Sequence, residues 1–311
     1  MAEMELRQMT PDDASEVAEL IYASINVWYR DNGHPGIQFG GGPGVTEVFY
    51  ETYDALAPGA TVVAVNPASG RIMGSCFFHP RPTHVGLGIM NVHPNYFGRG
   101  VAKALLGHIC DYTDAHGHPA LRLTSSGLNL DSFALYSRSG FVPRLAYQDM
   151  WVQVPAGGLG ASVPGRDRVR PAVPSDAPAM EALELEVSGV SRAPDYAHAI
   201  ENAQGFWSAA VLEGPSGGID GYAIASGHPA MNIIGPLVAR TEADALALVS
   251  YALDLYPGRA PLVLVPVEQR AIIEQLYAWG ARISELHFCQ VRGAFQAFRG
   301  VSMPTFMLET A

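Results

Sequence analysis

Residues 92–106 read Val-His-Pro-Asn-Tyr-Phe-Gly-Arg-Gly-Val-Ala-Lys-Ala-Leu-Leu. An apolar strand ends at a proline, a glycine turn follows, and a helix begins directly after it. Gly98 and Gly100 allow successive backbone N–H groups to converge, and the helix N-terminus adds unpaired N–H groups and the positive end of its dipole. Arg99 and Lys103 add positive charge. The stretch therefore predicts an anion site suited to a pyrophosphate.

A second stretch, residues 129–141, reads Asn-Leu-Asp-Ser-Phe-Ala-Leu-Tyr-Ser-Arg-Ser-Gly-Phe. Together the two stretches resemble the motifs of the GCN5-related N-acetyltransferase (GNAT) superfamily. In that family the pyrophosphate loop reads Gln/Arg-x-x-Gly-x-Gly/Ala, and a later helix reads Asn-x-x-Ala-x-x-Leu-Tyr-x-x-x-Gly-Phe. The resemblance covers roughly residues 5–150, and both motifs occur in the family's order.

The resemblance implies a site for acetyl-CoA as co-substrate. The residues implied for binding it are Met90, Asn91, Val92, Gly98, Arg99, Gly100, Val101, Ala102, Lys103 and Asn129. It also implies that Tyr136 acts as the general acid, protonating the departing thiolate while an acceptor amine attacks directly in a ternary complex.

The chain departs from the family pattern at three positions. Phe97 replaces the usual Gln or Arg, which removes a polar side chain but no backbone N–H group, and Ser132 replaces an alanine. Thr124 stands five positions before Asn129, where some members carry a glutamate base, and a threonine cannot serve as one. We select His84 as the general base, because imidazole titrates near neutrality. The alternatives are His79, His93 and a water chain from Asn91.

The segment between the first two predicted strands is expected to shape the acceptor site, as the resemblance implies. Its candidate residues are Trp28, Tyr29, His34 and Glu51. Aromatic rings beside carboxylates suit an amine through cation–π and ionic contacts. A packed amphipathic helix followed by a solvated loop explains the same residues without a ligand.

An internal repeat organises the chain. Residues 6–14 (Leu-Arg-Gln-Met-Thr-Pro-Asp-Asp-Ala) and 169–177 (Val-Arg-Pro-Ala-Val-Pro-Ser-Asp-Ala) place Arg, Pro, Asp and Ala in identical register. In each copy a short strand reaches a proline turn, and the Asp is predicted to cap a helix. Residues rich in Gly, Ala and Pro separate the copies and suggest a linker. We predict an acetyl-CoA-binding domain at 1–155, a linker at 156–166 and a second GNAT-like domain at 167–311.

The second copy lacks the features of the anion site. No glycine occurs where its helix begins, and two carboxylates stand there instead, at Glu242 and Asp244. Leu276 matches Tyr136, and Gln269 matches Asn129. The expected fold class is α/β, with two tandem GNAT-like domains, each a mixed, mostly antiparallel sheet flanked by helices. The second domain is expected to be degenerate and structural.

Composition limits the function classes. The 311 residues carry 19 Lys+Arg against 30 Asp+Glu, a formal net charge of −11, and such a surface repels nucleic acid. No apolar stretch of spanning length and no secretory signal are seen, so we expect no membrane partner and a cytoplasmic location. The three cysteines, scattered and without metal spacing, are expected to be reduced core residues. No metal site is predicted, and the chain is expected to be a monomer or homodimer.

These observations predict an enzyme that moves an acetyl group from acetyl-CoA to a primary amine of a small, cationic molecule. An antibiotic modified in a resistance reaction is one such acceptor. N-acetylation of a protein or peptide is the enzymatic alternative. A non-catalytic acyl-CoA-binding sensor or scaffold is the alternative of another class.

Overall fold

The computed structural model of the chain describes residues 3–32, 38–215 and 217–309. The described residues form two compact units. Unit 1 comprises residues 3–121 together with the short segment 307–309, and unit 2 comprises residues 122–306. The domain boundaries expected from the sequence remain a prediction.

Unit 1 is built on a four-stranded antiparallel sheet. Its strands are β1 (Glu5–Arg7), β2 (Thr61–Val65), β3 (Ile72–Arg81) and β4 (His84–Val92), and its helices are α1 (Ala14–Asp31), α2 (Glu47–Leu56) and α3 (Val101–Ala115). The strands pair in the order β1-β2-β3-β4. Helices α1 and α3 both pack on β3 and β4, so the apolar side chains of the central strands are buried. A further strand, β5 (Ala120–Ser126), contains the boundary between the units.

Unit 2 contains a larger sheet. Its helices are α4 (Leu130–Arg138), α5 (Ala177–Ser188), α6 (Ala193–Glu201), α7 (Glu242–Leu253) and α8 (Arg270–Ala278). Its remaining strands are β6 (Val142–Trp151), β7 (Val169–Pro171), β8 (Trp207–Glu213), β9 (Ile219–His228), β10 (Met231–Ala239), β11 (Leu262–Pro266), β12 (Arg282–Gly293) and β13 (Val301–Met303). The order is β5-β12-β6-β11-β10-β9-β8-β7, with β13 beside β10. Strands β10 and β11 are parallel, whereas β7 to β10 are successively antiparallel.

These sheets confirm the predicted fold class, an α/β protein with mixed, mostly antiparallel sheets flanked by helices. Helix α7 ends at Leu253, and β3 continues to Arg81, which pairs with His84, the first residue of β4.

Two long strands, β6 and β12, were not predicted. Each follows the glycine that ends a preceding helix, and they pair antiparallel with Tyr147 opposite His287. Strand β6 also pairs with β11, with Asp149 opposite Leu264. Strand β12 thus lies between β5 and β6. Pairing of strands so far apart in sequence leaves no local pattern to recognise.

Asp13 and Asp176 occupy the predicted N-cap positions of α1 and α5, but neither side chain makes a capping hydrogen bond to that helix. The Asp13 carboxylate instead accepts hydrogen bonds from the Thr10 backbone N–H at 2.7 Å and from Arg7. Asp176 does the same with Val173 and Arg170. A guanidinium six residues away competes better for the carboxylate than the helix N–H groups do.

The cysteines are free, as expected, but only two of them are core residues. Cys76 and Cys289 are buried, whereas Cys110 is half-buried. Burial raises the pKa of the Cys76 thiol, which keeps it protonated and unreactive. Among the described residues, no helix is long and apolar enough to cross a membrane.

Candidate active site

Strand β4 carries a bulge next to its predicted binding segment. Cys76 of β3 faces Met90, but Phe78 faces Leu87, so two residues of β4 lie opposite one residue of β3. A bulge interrupts the hydrogen-bond ladder and redirects backbone groups. The side chain of Asn91 is buried and donates to Ser24 Oγ at 2.7 Å. Its Nδ2 group is therefore engaged with α1, whereas its Oδ1 is buried and has no hydrogen-bond partner among the described residues.

The glycine turn has the conformation that an anion cradle requires. Gly98 and Gly100 have φ of 73° and 86°, in the left-handed region that favours glycine. Gly100 is the residue before the first turn of α3, and a Cβ built on Gly98 meets no atom within 4 Å. The first N–H groups of α3 have no partner inside the helix, as at every helix start. Arg99 lies over the Tyr96 ring, with its guanidinium carbon 5.6 Å from the ring centroid.

The start of α3 is fixed by close packing on the sheet. The Val101 side chain is buried, and a Cβ on Gly74 of β3 would lie 2.7 Å from Val101 Cγ1. Val101 therefore offers only its backbone to a ligand. The helix N-terminus is held rigidly at the end of β4, which is the geometry predicted for residues 92–103.

The predicted base, His84, is buried beside a carboxylate that the sequence reasoning missed. His84 Nε2 lies 3.2 Å from Glu309 Oε2, and the two side chains are 1% and 0% exposed. Nδ1 lies 3.0 Å from Thr83 Oγ1. Glu309 belongs to segment 307–309 of unit 1, where Met307 and Leu308 are also buried. Glu309 is a single glutamate after an apolar run, so the neighbouring sequence does not indicate that it contacts His84.

The two alternative histidines have different surroundings. His79 is fully buried on β3, opposite Gly86, and its ring lies 4.8 Å from that of Tyr53. His93 precedes the short turn after β4, and its Nδ1 accepts a hydrogen bond from the Asn95 backbone N–H at 3.2 Å. His93 is thus tied into the loop, and His79 and His84 share one end of the β3–β4 hairpin.

The predicted acceptor residues lie on α1 and α2. Trp28 and Tyr29 are half-buried near the end of α1, with ring centroids 5.1 Å apart, and Glu51 is exposed on α2. The prediction for His34 falls outside the described residues. The Asn26 side chain forms hydrogen bonds with both backbone groups of Phe39. Its Oδ1 accepts from the N–H at 3.0 Å, and its Nδ2 donates to the carbonyl at 3.1 Å.

In unit 2, Asn129 and Tyr136 mark the two ends of α4. Asn129 is the N-cap, and its Oδ1 accepts a hydrogen bond from the Ser132 backbone N–H at 3.0 Å. Its Nδ2 group remains a donor. Tyr136 is buried in the last turn, with its ring 5.8 Å from that of Phe141.

The corresponding helices of the second copy begin with different contacts. Helix α7 begins after Thr241, whose side chain accepts from the Asp244 backbone N–H at 3.2 Å. The Glu242 carboxylate accepts from the first N–H groups of α8, at 2.7 and 3.1 Å. Leu276 is buried at the position matching Tyr136. Side chains of the chain itself thus accept hydrogen bonds from backbone N–H groups in the first turns of α7 and α8.

Unit 2 also contains a cluster of polar side chains that the sequence did not predict, formed by Asp149, Glu285 and His287. His287 Nδ1 lies 3.0 Å from Asp149 Oδ1, and Glu285 accepts a hydrogen bond from Ser126 Oγ at 2.5 Å. Burial raises the pKa of Asp149, and the two nearby carboxylates raise the pKa of His287 against the opposing effect of its own burial. The residues meet only because β6 pairs with β12, so no spacing in the sequence points to them.

Both halves of the chain match known protein families. The acetyltransferase (GNAT) family matches residues 28–141, and an acetyltransferase (GNAT) domain matches residues 180–288. The chain belongs to the GNAT superfamily. It has the tandem GNAT architecture that the repeat predicted, and membership identifies it as an N-acetyltransferase.

Solved structures share the fold over the whole length. A putative acetyltransferase from Pyrococcus horikoshii has 15% identity and a TM-score of 0.74, covering 100% of this chain and 94% of its own. A GNAT protein from Sphaerobacter thermophilus has 19% identity and a TM-score of 0.61, covering 95% and 97%. A tandem GNAT protein from the clavulanic acid biosynthesis pathway has 18% identity and a TM-score of 0.60, covering 94% and 98%. A search of the curated proteins found no significant match.

Proposed function

We propose that the chain transfers an acetyl group from acetyl-CoA to a primary amine of a small, cationic molecule, in a ternary complex. The observation that carries this proposal is the start of α3. There, left-handed Gly98 and Gly100 lead into a helix whose first N–H groups can bind a pyrophosphate. The cradle is open at Gly98, so the residues present fit the co-substrate.

The binding roles are assigned to the end of β4 and the start of α3. The backbone of residues 90–92, next to the bulge of β4, binds the pantetheine arm, and residues 98–103 bind the pyrophosphate. Asn129 Nδ2 donates to the same arm, because its Oδ1 is engaged in capping α4. Acetyl-CoA supplies the acyl group as a thioester, whose cleavage releases a thiolate. Tyr136 is buried in the last turn of α4, and its phenol hydroxyl protonates that thiolate.

His84 is the proposed base. An amine in water is mostly protonated and must lose a proton before it attacks. Glu309 would hold the imidazole in one orientation through Nε2, so the proton would go to Nδ1, which lies 3.0 Å from Thr83 Oγ1. The carboxylate would stabilise the imidazolium so formed, as one does for a catalytic histidine. The acidic net charge of −11 favours a cationic acceptor over an anionic one.

We further propose that only the first copy carries this activity. In the second copy, neither α7 nor α8 has an N-terminus free to bind a pyrophosphate in this way, because Thr241 caps α7 and Glu242 caps α8. A carboxylate at a helix N-terminus also repels pyrophosphate. Leu276 has no hydroxyl to donate.

The test is thiol release from acetyl-CoA across a panel of amines: aminoglycosides, basic peptide antibiotics, polyamines, amino acids and peptides. For the best acceptor, Tyr136→Phe should lower kcat by about a hundredfold or more, while acetyl-CoA still raises the melting temperature. Tyr277→Phe, on the corresponding helix of the second copy, should leave both unchanged. Unchanged turnover in Tyr136→Phe would remove Tyr136 as the acid.

Other outcomes decide between the alternatives. Turnover confined to peptides would favour N-acetylation of a protein. Binding of acetyl-CoA without turnover of any amine would favour a sensor. Binding of no acyl-CoA would overturn the proposal. For the base, His84→Gln should lower kcat with little change in acetyl-CoA affinity, and His108→Gln, an exposed histidine of α3, is the matched control.

A further inference from the structure

We infer that unit 2 contains a binding site for one divalent transition-metal ion, formed by Asp149, Glu285 and His287. The inference goes beyond the proposed acetyl transfer and does not depend on it. It also departs from the expectation of no metal site, which rested on cysteine spacing.

The first argument is distance. One ligand atom of each residue, a ring nitrogen of His287 and one carboxylate oxygen each from Asp149 and Glu285, lies within 4.8 Å of the other two. Zinc binds nitrogen and oxygen at about 2.0–2.2 Å, so two ligands of one ion stand about 3–4.4 Å apart. The 3.0 Å between His287 Nδ1 and Asp149 Oδ1 already fits. The half-buried Glu285 lies within 4.8 Å of both, close to the upper end of that range.

The second argument is the donor set. An imidazole nitrogen with two carboxylate oxygens suits zinc and its first-row neighbours. Calcium and magnesium prefer oxygen ligands throughout. The three residues come from the adjacent strands β6 and β12, and those strands are rigid elements of the sheet.

The third argument is charge and burial. The side chains of His287 and Asp149 are 8% and 4% exposed. Glu285, the third member, is half-buried. Carboxylate oxygens taken out of water are costly unless a cation compensates them. A divalent ion held by the three side chains supplies that compensation.

The surrounding shell resembles that of metal sites. Ser126 Oγ donates to Glu285, and the same Oγ accepts from the Leu128 backbone N–H at 3.1 Å, which fixes the hydroxyl direction. The Phe306 ring lies 4.9 Å from the His287 ring. Such outer contacts orient ligands and contribute to affinity. Because Glu285 is only half-buried, water can reach the ion and complete its coordination.

The test uses the full chain with any affinity tag removed. The protein is stripped with a chelator, incubated with Zn²⁺, desalted and analysed for metal by mass spectrometry. The wild type should retain about one zinc per chain, and His287→Gln and Asp149→Asn should lower the affinity at least about tenfold. Zn²⁺ should raise the melting temperature of the wild type and not that of the variants.

Controls keep the result interpretable. His108→Gln removes an exposed histidine outside the cluster and should load as the wild type does. Glu285→Gln alters the least buried ligand, so it tests the site where the buried variants fail to fold. Co²⁺ should give a visible absorption band in the wild type that Glu285→Gln weakens. A wild type that retains no zinc, or variants that retain as much as it does, would overturn the site.

Discussion

Arg7 donates to both carboxylate oxygens of Asp13, at 2.7 and 2.8 Å, and this bidentate contact recurs in the second copy. There Arg170 donates to Asp176 at 2.7 and 3.0 Å. The repeated Arg and Asp thus preserve one ion pair at the entry to the first helix of each copy. This pair explains the shared register better than helix capping does.

The ion pair makes stability depend on pH. The hydrogen bond from Arg7 is the main cause that lowers the pKa of Asp13 from 3.8 to about 2. A depressed pKa in the folded state stabilises it above the unfolded value, and this contribution is lost as pH falls from about 4 to 2. We expect Asp13→Asn to lower the free energy of unfolding by about 1 kcal/mol at pH 6, since Arg7 is partly exposed. Urea unfolding should show a smaller difference at pH 3.

Asp12→Asn is the matched control, because Asp12 is exposed and adjacent in sequence. It should change the free energy of unfolding by less than Asp13→Asn at pH 6. An equal loss for both variants, or a loss for Asp13→Asn that does not shrink at pH 3, would contradict the role of the ion pair.

Gly86 should be required by the position of Glu309. A Cβ on Gly86 would lie 2.0 Å from Glu309 Oε1. We expect Gly86→Ala to destabilise the chain by about 1–3 kcal/mol through overpacking. Adding Glu309→Ala should restore part of that loss, because it removes the clashing atoms. Thermal unfolding measures both.

Gly107→Ala is the control for Gly86→Ala. Gly107 lies inside α3, and a Cβ there meets no atom within 4 Å. Alanine should stabilise the helix by about 0.5–1 kcal/mol. If Glu309→Ala restores nothing in the Gly86→Ala background, segment 307–309 does not occupy that place.

Asn129 should contribute to stability through its cap, apart from any role in binding. Asn129 and Gln269 precede α4 and α8 with nearly the same backbone angles, but only Asn129 caps with its side chain. Asn129→Ala should cost about 1 kcal/mol of unfolding free energy, and Gln269→Ala less. Chemical denaturation of the two variants measures this. Equal losses would show that the cap contributes nothing.

Gly98 should matter for acetyl-CoA more than for folding. Gly98 and Gly117 have φ of 73° and 69°, and neither has an atom within 4 Å of a built Cβ. Alanine at either position should cost about 1–2 kcal/mol of backbone strain. Only Gly98→Ala should raise the KM for acetyl-CoA, by about tenfold, because it alone alters the cradle. A matching rise in Gly117→Ala would mean that strain, and not contact, is the cause.

The sequence alone determined those features that depend on neighbouring residues. The glycine turn before α3 and the helix that follows it are local, because φ and helix period act over a few positions. The repeat at residues 6–14 and 169–177 predicted the tandem architecture, which the family comparison confirmed.

Only the tertiary structure decided which distant side chains meet. His287 contacts Asp149, 138 positions away in sequence, because β12 pairs with β6. Glu309 reaches His84 because segment 307–309 packs into unit 1. Asp13 bonds Arg7 in preference to its helix because a guanidinium is the stronger partner. Such contacts depend on strand order and burial, which single residues and their spacing do not encode locally.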